Sequence, residues 1–317
     1  MNRRSYGSTG LEVSVLTYGA MTIAFDPGLR DKVAPSLLAA LEAGVNLVDT
    51  ARVYGNSEEL VAATLAAWSG PPPLVSTKVR SRSREAYRFA CPAAEAYPAE
   101  AIRESVETSL KTLRRETLDI VHLHQWHYGW THELGWLETL HTLRDEGKLR
   151  FIAVSVQDHE HDAALELVSR GLVDGVQAIV HLFESRPANA LLPLARDRGL
   201  GVIARCVLDS GGLTGTLGEA DFAGRSFLKH ASYADYAARL AELEARFVPQ
   251  VAASLPELAL RFTASLPGVS TLTLGLQEAR FVEVAAAALA KGPLPDEAVA
   301  AIRREHVWTR NFYERLV

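Results

Sequence analysis

The chain has 317 residues, 48% of them hydrophobic and 22% charged, a balance that excludes the disordered, collagen-like and coiled-coil classes and predicts a globular core. Its 33 basic and 38 acidic residues give a net charge of −5. No basic block stands apart, so we expect a small-molecule partner rather than nucleic acid or an anionic membrane. Two cysteines are too few for a disulfide framework, and no export signal or membrane span is evident, so the expected location is the cytoplasm.

Short segments rich in β-branched residues alternate with longer segments of helical periodicity along the whole sequence. The chain opens with the pattern of a small hairpin at residues 4–13, which contains two glycines. Strands are predicted at residues 13–18, 46–50, 74–78, 119–124, 151–155, 175–180, 201–206 and 270–275. Helices are predicted between them, including residues 34–43, 58–68, 99–113, 134–146 and 161–170.

Eight successive βα units predict an α/β fold, a closed (β/α)8 TIM barrel that occupies residues 1–317 as one domain. The alternative is a doubly wound open sheet, but no Gly-x-Gly-x-x-Gly follows an early strand, so the barrel is favoured. We expect the hairpin to close the N-terminal end of the barrel. The irregular segments 80–98 and 208–233 directly follow strands, so they should form substrate loops on the face where barrel enzymes carry their sites.

Polar side chains recur where the predicted strands end: Asp49, Lys78, His124, Ser155, Gln177 and Arg205. Tyr54 follows Asp49 in the same βα loop. A single buried charge at a strand end is often only a structural salt bridge. Because the carboxyl ends of barrel strands surround one mouth, the whole set indicates an active site.

Three segments carry a resemblance to a known family. They read Asp49-Thr50-Ala51-x-x-Tyr54-Gly55-x-Ser57-Glu58, Ser76-Thr77-Lys78 and Leu118-Asp119-Ile120-Val121-His122-Leu123-His124. With the hairpin, the 147–155 segment, the 211–215 loop and the strand ending at Gly275, they resemble the aldo-keto reductases of bacterial type nearly end to end. The resemblance implies a (β/α)8 barrel that uses a nicotinamide cofactor without a Rossmann fold. By motif it also implies a catalytic tetrad of Asp49, Tyr54, Lys78 and His124.

These four residue types suit the reduction of a carbonyl. Hydride transfer builds negative charge on the carbonyl oxygen, so the site needs a proton donor there, and Tyr54 is the expected general acid, or the base in the reverse direction. An adjacent Lys78 ammonium should lower the pKa of Tyr54 by favouring the phenolate. Asp49 should compensate the buried Lys78 charge, while His124 should orient the carbonyl or assist proton transfer.

The resemblance also assigns cofactor contacts. Ser155 and Gln177 match positions that hydrogen-bond the nicotinamide carboxamide, and Arg205 matches a position whose side chain often stacks on the nicotinamide ring. The adenosine phosphates are assigned to a loop and helix start, an arrangement that favours anions, through Gly275, Gln277 and Arg280. Arg280 is the candidate for the 2′-phosphate, so we expect NADP(H), with NAD(H) as the alternative. The chain departs from the family pattern at Val156, His181, Gln277 and Ala285, which bears on carboxamide recognition and on NADP preference.

The substrate pocket is expected to include Trp126, which follows the fourth strand, and Met21, which follows the first; Phe25 is a further candidate. Aromatic and apolar side chains of this kind line most ligand sites. The expected substrate is a small carbonyl compound or a sugar. Its identity, the direction of the reaction and the oligomeric state are left open by the sequence.

Two other functions are weighed against the reductase. His122 and His124 lie on one face of a strand, as in metal-dependent barrel hydrolases, and His127 or His181 could complete such a site. A regulatory barrel that binds the cofactor with little turnover is the other alternative. The intact tetrad favours the reductase, and no metal is expected.

Overall fold

The computed structural model describes residues 1–21, 27–83, 91–225, 228 and 231–308. Its strands are β1 (Arg3–Ser5), β2 (Glu12–Ser14), β3 (Leu16–Gly19), β4 (Leu47–Asp49), β5 (Leu74–Val79), β6 (Leu118–Leu123), β7 (Leu149–Ser155), β8 (Gly175–Ile179), β9 (Gly201–Arg205) and β10 (Thr271–Leu274). Its α-helices are α1 (Arg30–Glu42), α2 (Ser57–Ala66), α3 (Ala93–Ala96), α4 (Ala99–Leu113), α5 (Gly135–Asp145), α6 (Leu165–Ser169), α7 (Leu191–Asp197), α8 (Glu219–Gly224), α9 (Tyr233–Phe247), α10 (Leu255–Ser265), α11 (Ala279–Ala290) and α12 (Asp296–Glu305).

Strands β3 to β10 form a closed parallel barrel in chain order, and β10 completes it by pairing with both β9 and β3. Long α-helices follow most of the strands, and their apolar faces join the main hydrophobic core with the outer faces of the strands. The predicted (β/α)8 TIM barrel and N-terminal hairpin are therefore confirmed. No helix within the described ranges has the length and apolar character that a membrane crossing requires.

The predicted first strand, residues 13–18, is divided between two sheets. Its beginning belongs to β2, which pairs antiparallel with β1, whereas Leu16 already pairs with Leu272 of the barrel. The break is fixed by Ser14, whose hydroxyl donates to the Leu16 carbonyl, while its backbone N–H donates to the Asn46 side chain. The single predicted strand was wrong because these contacts bend the chain where its apolar pattern continues.

The hairpin closes the N-terminal end of the barrel, as expected. Tyr6, Leu11 and Val13 form a small buried cluster with residues of four barrel strands, namely Leu47, Ile120, Ala153 and Ile203. The Tyr6 side chain fits because β8 and β9 begin with Gly175 and Gly201, where a Cβ would overlap its hydroxyl or its ring.

Replacement of Gly201 by alanine should therefore lower the free energy of unfolding by about 1–3 kcal/mol, the usual cost of overpacking a core. Urea denaturation measures this change. The matched control is Gly135→Ala, because a Cβ there meets nothing within 4 Å and stability should hold or rise slightly. Equal stability of the Gly201 and Gly135 variants would contradict the close packing of Tyr6.

Candidate active site

The six polar residues predicted from strand ends surround the C-terminal mouth of the barrel. They lie on or directly after six consecutive strands: Asp49 on β4, Lys78 on β5, His124 directly after β6, Ser155 on β7, Gln177 on β8 and Arg205 on β9. The strand register aligns the strand ends, because Asp49 on β4 pairs with Ser76 on β5, and Ser155 on β7 pairs with Gln177 on β8. The barrel therefore brings these residues to one end of the molecule.

A buried ion pair lies at the base of this site. The Lys78 Nζ donates to Asp49 Oδ2 over 2.7 Å and to the Thr50 carbonyl over 2.9 Å, and the lysine side chain is 0% exposed. Burial alone would lower the pKa of Lys78, but Asp49 and Tyr54 outweigh it and raise the pKa above its ordinary value. The structure thus maintains an ammonium group inside the barrel by supplying its counter-charge.

Tyr54 covers this ammonium from the loop between β4 and α2. The Lys78 Nζ is 5.0 Å from the centre of the phenol ring, and the tyrosine is 8% exposed. Burial raises the pKa of Tyr54, while Lys78 acts in the opposite direction. The predicted effect of Lys78 is therefore correct in sign, but in the free protein burial is the larger effect.

His124 lies beside Tyr54 at the end of β6. The two rings meet edge to face, with centroids 5.4 Å apart and an interplanar angle of 83°. Burial, with the charges of Lys78 and Arg205, lowers the pKa of His124 well below its ordinary value. His124 is thus a neutral imidazole at neutral pH, suited to hydrogen bonding rather than to carrying charge.

Glu58 anchors the loop between β4 and α2 that carries Tyr54, which we call the tyrosine loop. Sequence reasoning missed this role, although Glu58 is part of the quoted motif. Its carboxylate is 1% exposed. It accepts hydrogen bonds from Arg52 in the tyrosine loop (2.5 Å), from Thr77 next to Lys78 (2.7 Å) and from Ser109 on α4 (2.7 Å). One buried acid therefore joins the segment that carries Tyr54 to the strand that carries Lys78.

Ser155 and Gln177 form a polar pair across the mouth from Asp49. Both are buried, at 5% and 2% exposure, and the Gln177 Nε2 has no hydrogen-bond partner among the described residues. An unpaired buried amide is costly unless a ligand satisfies it. Arg205 lies next to them, with its guanidinium on the Val156 carbonyl (2.9 Å) and on Asp158 (2.6 Å).

The segment predicted to bind the adenosine phosphates follows β10. Gly275 is exposed, Gln277 is half-buried, and Arg280 lies in the first turn of α11 with 70% of its side chain exposed. Arg280 pairs with Glu278 over 3.0 Å, and Lys32 of α1 reaches the same carboxylate over 2.9 Å. The helix start thus presents two cations and one carboxylate to solvent.

The predicted pocket residues occupy different environments. Met21 is 40% exposed, whereas Trp126 is 1% exposed within a group of indoles, with its N–H donated to the Ala163 carbonyl. Phe25 lies outside the described residues. Tyr128, in the loop that follows Trp126, is 66% exposed.

The histidines considered for a metal site each contact a different residue. His122 contacts Ser76, His124 contacts Tyr54, and His181 faces Asp209 at 3.6 Å. Across the part of the chain that the structure describes, no three His, Cys, Asp or Glu side chains are grouped to hold a metal ion. The hydrolase alternative is not favoured.

A closed (β/α)8 barrel with a buried lysine–aspartate pair beneath a tyrosine defines the class of barrel oxidoreductases that work without a Rossmann fold. The chain belongs to the aldo/keto reductase family, whose family model matches residues 15–305. The predicted family and the oxidoreductase class are thus confirmed. Membership implies a nicotinamide cofactor and small carbonyl or sugar substrates.

Two curated relatives and one solved structure illustrate the similarity. L-galactose dehydrogenase from Arabidopsis thaliana is 30% identical over 221 residues, which are 67% of this chain and 66% of that enzyme. The NADH-specific methylglyoxal reductase of Escherichia coli strain K12 is 30% identical over 239 residues, 68% of this chain and 70% of that enzyme. A holo-form aldo-keto reductase from Bacillus halodurans has a TM-score of 0.76 at 23% identity, with 98% of this chain and 99% of that chain covered. At that identity the last comparison bears on the fold alone.

Proposed function

We propose that the protein reduces an aldehyde or ketone, or oxidises the corresponding alcohol or sugar, with Tyr54 as the group that gives or takes the proton. The observation that carries this proposal is the buried Lys78–Asp49 pair beneath the phenol. An ammonium at that position favours the phenolate, which is the form that Tyr54 takes once it has donated its proton. The same pair would otherwise be a costly feature of a barrel core.

Each residue of the tetrad then has a distinct task. Tyr54 donates the phenolic proton to the carbonyl oxygen, and Lys78 stabilises the phenolate that remains. Asp49 keeps the ammonium of Lys78 in place through Oδ2. His124, neutral and next to the phenol, hydrogen-bonds the carbonyl oxygen and orients it. When bound, the reduced nicotinamide cofactor supplies the hydride.

The residues opposite Asp49 fit a nicotinamide. The unpaired Gln177 amide nitrogen and the neighbouring Ser155 hydroxyl supply a donor and an acceptor for the carboxamide. The Arg205 guanidinium offers a planar group for the ring, and Asp158 balances its charge.

For the cofactor's adenosine end we propose NADPH, held at the start of α11. Gly275 and Gln277 lead into that helix, and Arg280 provides a guanidinium for the 2′-phosphate. Glu278 favours the opposite choice, because a carboxylate would repel a phosphate and accept a hydrogen bond from the 2′-hydroxyl of NADH. The E. coli relative is named as NADH-specific, so NADH is the second candidate.

The replacement Arg280→Ala should weaken NADPH binding by about 1.5–3 kcal/mol, the range for hydrogen bonds to charged groups, and should leave NADH binding almost unchanged. Titration of the purified protein with each reduced cofactor, followed by fluorescence, measures both affinities. Glu278→Gln should have the opposite effect and tighten NADPH. The matched control is Arg196→Ala on α7, an exposed arginine that also pairs with an adjacent acid.

Equal losses for NADPH and NADH in the Arg280 variant would show that Arg280 is only a solvated charge at the helix start. Tighter binding of NADH than of NADPH by the parent protein would assign the site to NADH and make Glu278 its determinant.

A panel of aldehydes, ketones and aldoses tests the proposed reaction directly, with the absorbance of the reduced nicotinamide as the signal. We expect turnover of at least one carbonyl with NADPH or NADH and no added metal. Complete loss of activity on chelation, with recovery on addition of a divalent cation, would contradict the proposal and restore the hydrolase alternative.

A further inference from the structure

A second imidazole lies beneath the tetrad, on β6, the strand that leads into His124. Side chains two residues apart on a strand point to the same face, so His122 faces the barrel interior one layer below His124. His122 is 0% exposed and is the register partner of Lys78 on the neighbouring strand. The proposed proton transfer uses His124 but assigns nothing to His122.

The contacts of His122 lead directly to Asp49. Its Nε2 lies 3.0 Å from the Ser76 Oγ, and that hydroxyl lies 2.8 Å from Asp49 Oδ1. The other carboxylate oxygen, Oδ2, accepts from Lys78. Asp49 is therefore held on one side by the lysine and on the other by a serine that is itself bound to an imidazole.

The direction of these hydrogen bonds follows from counting protons. The Asp49 carboxylate can only accept, so Ser76 must donate its single hydroxyl proton to Oδ1. Ser76 then has only lone pairs to offer His122, so the imidazole must be the donor, with its proton on Nε2. Burial and the Lys78 charge lower the pKa of His122 to about 4, against the opposing effects of Asp49 and the Val154 backbone. The ring is thus neutral at neutral pH, with Nε2 as its one donor.

We propose that His122 is a positioning residue: it donates through Ser76 to Asp49 and thereby holds the Lys78 ammonium beneath Tyr54. This inference rests on the proposed role of Tyr54 as proton donor. Two donors, His122 and Ser76, point in sequence toward one oxygen of the carboxylate, and the hydrogen bonds of such a chain polarise one another in a low-dielectric interior. Without the imidazole, Ser76 is a weaker donor and Oδ1 is less firmly held. The lysine then stabilises the phenolate less well.

Removal of the donor should therefore change the chemistry rather than cofactor binding. In His122→Leu we expect the kcat for carbonyl reduction to fall roughly tenfold, as for the loss of one buried hydrogen bond. The apparent pKa at which the reduction rate falls in alkaline solution should rise, because the phenolate is less well stabilised. The Kd for NADPH should stay within twofold of the parent value. His122→Gln, whose amide N–H2 lies near the lost Nε2, should recover most of the rate and restore the pH profile.

A double-mutant cycle tests whether His122 acts through Ser76. Ser76→Ala cuts the same chain, so it should shift the pH profile in the same direction, and the Ser76→Ala/His122→Leu double variant should be no worse than the poorer single variant. If His122→Leu folds poorly, Ser76→Ala tests the same hydrogen-bond chain by itself. The matched control is His306→Leu, a buried histidine that packs on Phe247 of α9, which should leave the pH profile unchanged.

Multiplicative losses in the double variant, or a His122→Gln enzyme as impaired as His122→Leu, would overturn the inference. A Tyr54→Phe enzyme with full turnover would instead overturn the proposed function, so the two failures are distinguishable. The proton position is also observable: nitrogen-15 NMR of histidine-labelled protein, with His122→Gln to assign the signal, should show the Nε2–H tautomer near neutral pH. The Nδ1–H tautomer would contradict donation to Ser76.

Discussion

Replacement of Tyr54 by phenylalanine should lower the kcat for carbonyl reduction by roughly 10²–10⁴-fold, the range attributed to one positioned general acid. The change removes only a hydroxyl group, so the ring still covers Lys78 and packs against His124. Stopped assays of the reduced product measure the rate, and fluorescence titration should show an unchanged affinity for the cofactor. Parent-like turnover would remove Tyr54 from the reaction.

The matched control is Tyr128→Phe, which removes the same hydroxyl from an exposed tyrosine and should leave kcat unchanged. The parent enzyme also has an expected pH dependence. Reduction requires the protonated phenol, which is present below the pKa of Tyr54 and lost above it. Burial raises that pKa, so reduction should persist through neutral pH and fall only in the alkaline range. Oxidation, which requires the phenolate, should increase with pH.

Lys78→Met should damage both turnover and stability. The variant leaves the Asp49 carboxylate buried without its counter-charge, and breaking a buried pair in this way costs about 3–5 kcal/mol. Turnover should fall about as far as in Tyr54→Phe, because the phenolate loses its charged neighbour. Urea denaturation and the carbonyl assay measure the two effects separately.

The double variant Asp49→Asn/Lys78→Met separates these effects. It removes both charges, so most of the lost stability should return, because a buried pair contributes little net stability. Turnover should remain low, since no ammonium supports Tyr54. A Lys78→Met protein as stable as the parent would contradict the ion-pair account, and a double variant with restored turnover would contradict the role of the ammonium.

Local patterns were sufficient to predict the barrel and the end of it that carries the candidate site. The alternation of strand and helix gave eight barrel strands, and the predicted helix at residues 99–113 coincides with α4. The segment 161–170 forms a 3-10 turn, His161–Ala164, followed by the short helix α6, because helical periodicity does not distinguish these forms. The first strand was predicted too long since the Ser14–Asn46 contact joins residues 32 positions apart.

The candidate catalytic residues were predictable because they lie at strand ends or in the loop that follows, and the barrel dictates where strand ends meet. The residues that support the candidate catalytic residues were not predictable. The role of Glu58 depends on a contact with Ser109, which lies 51 positions later in the chain. His122 reads as a metal ligand or core residue until Ser76, 46 positions earlier, is found beside it. Such contacts depend on packing between distant segments, which spacing within one segment does not encode.

The hairpin that closes the barrel has a consequence for folding. Its partners lie far along the chain: the backbone N–H of Ser8 donates to the carbonyl of Gly199, and Tyr6 packs against Gly201. Contacts of such long sequence separation form late. The hairpin therefore waits after its own synthesis, with Tyr6, Leu11 and Val13 in water, until β8 and β9 have been synthesised. A chain truncated before β8 should expose this apolar hairpin and be recognised as incomplete by chaperones and proteases.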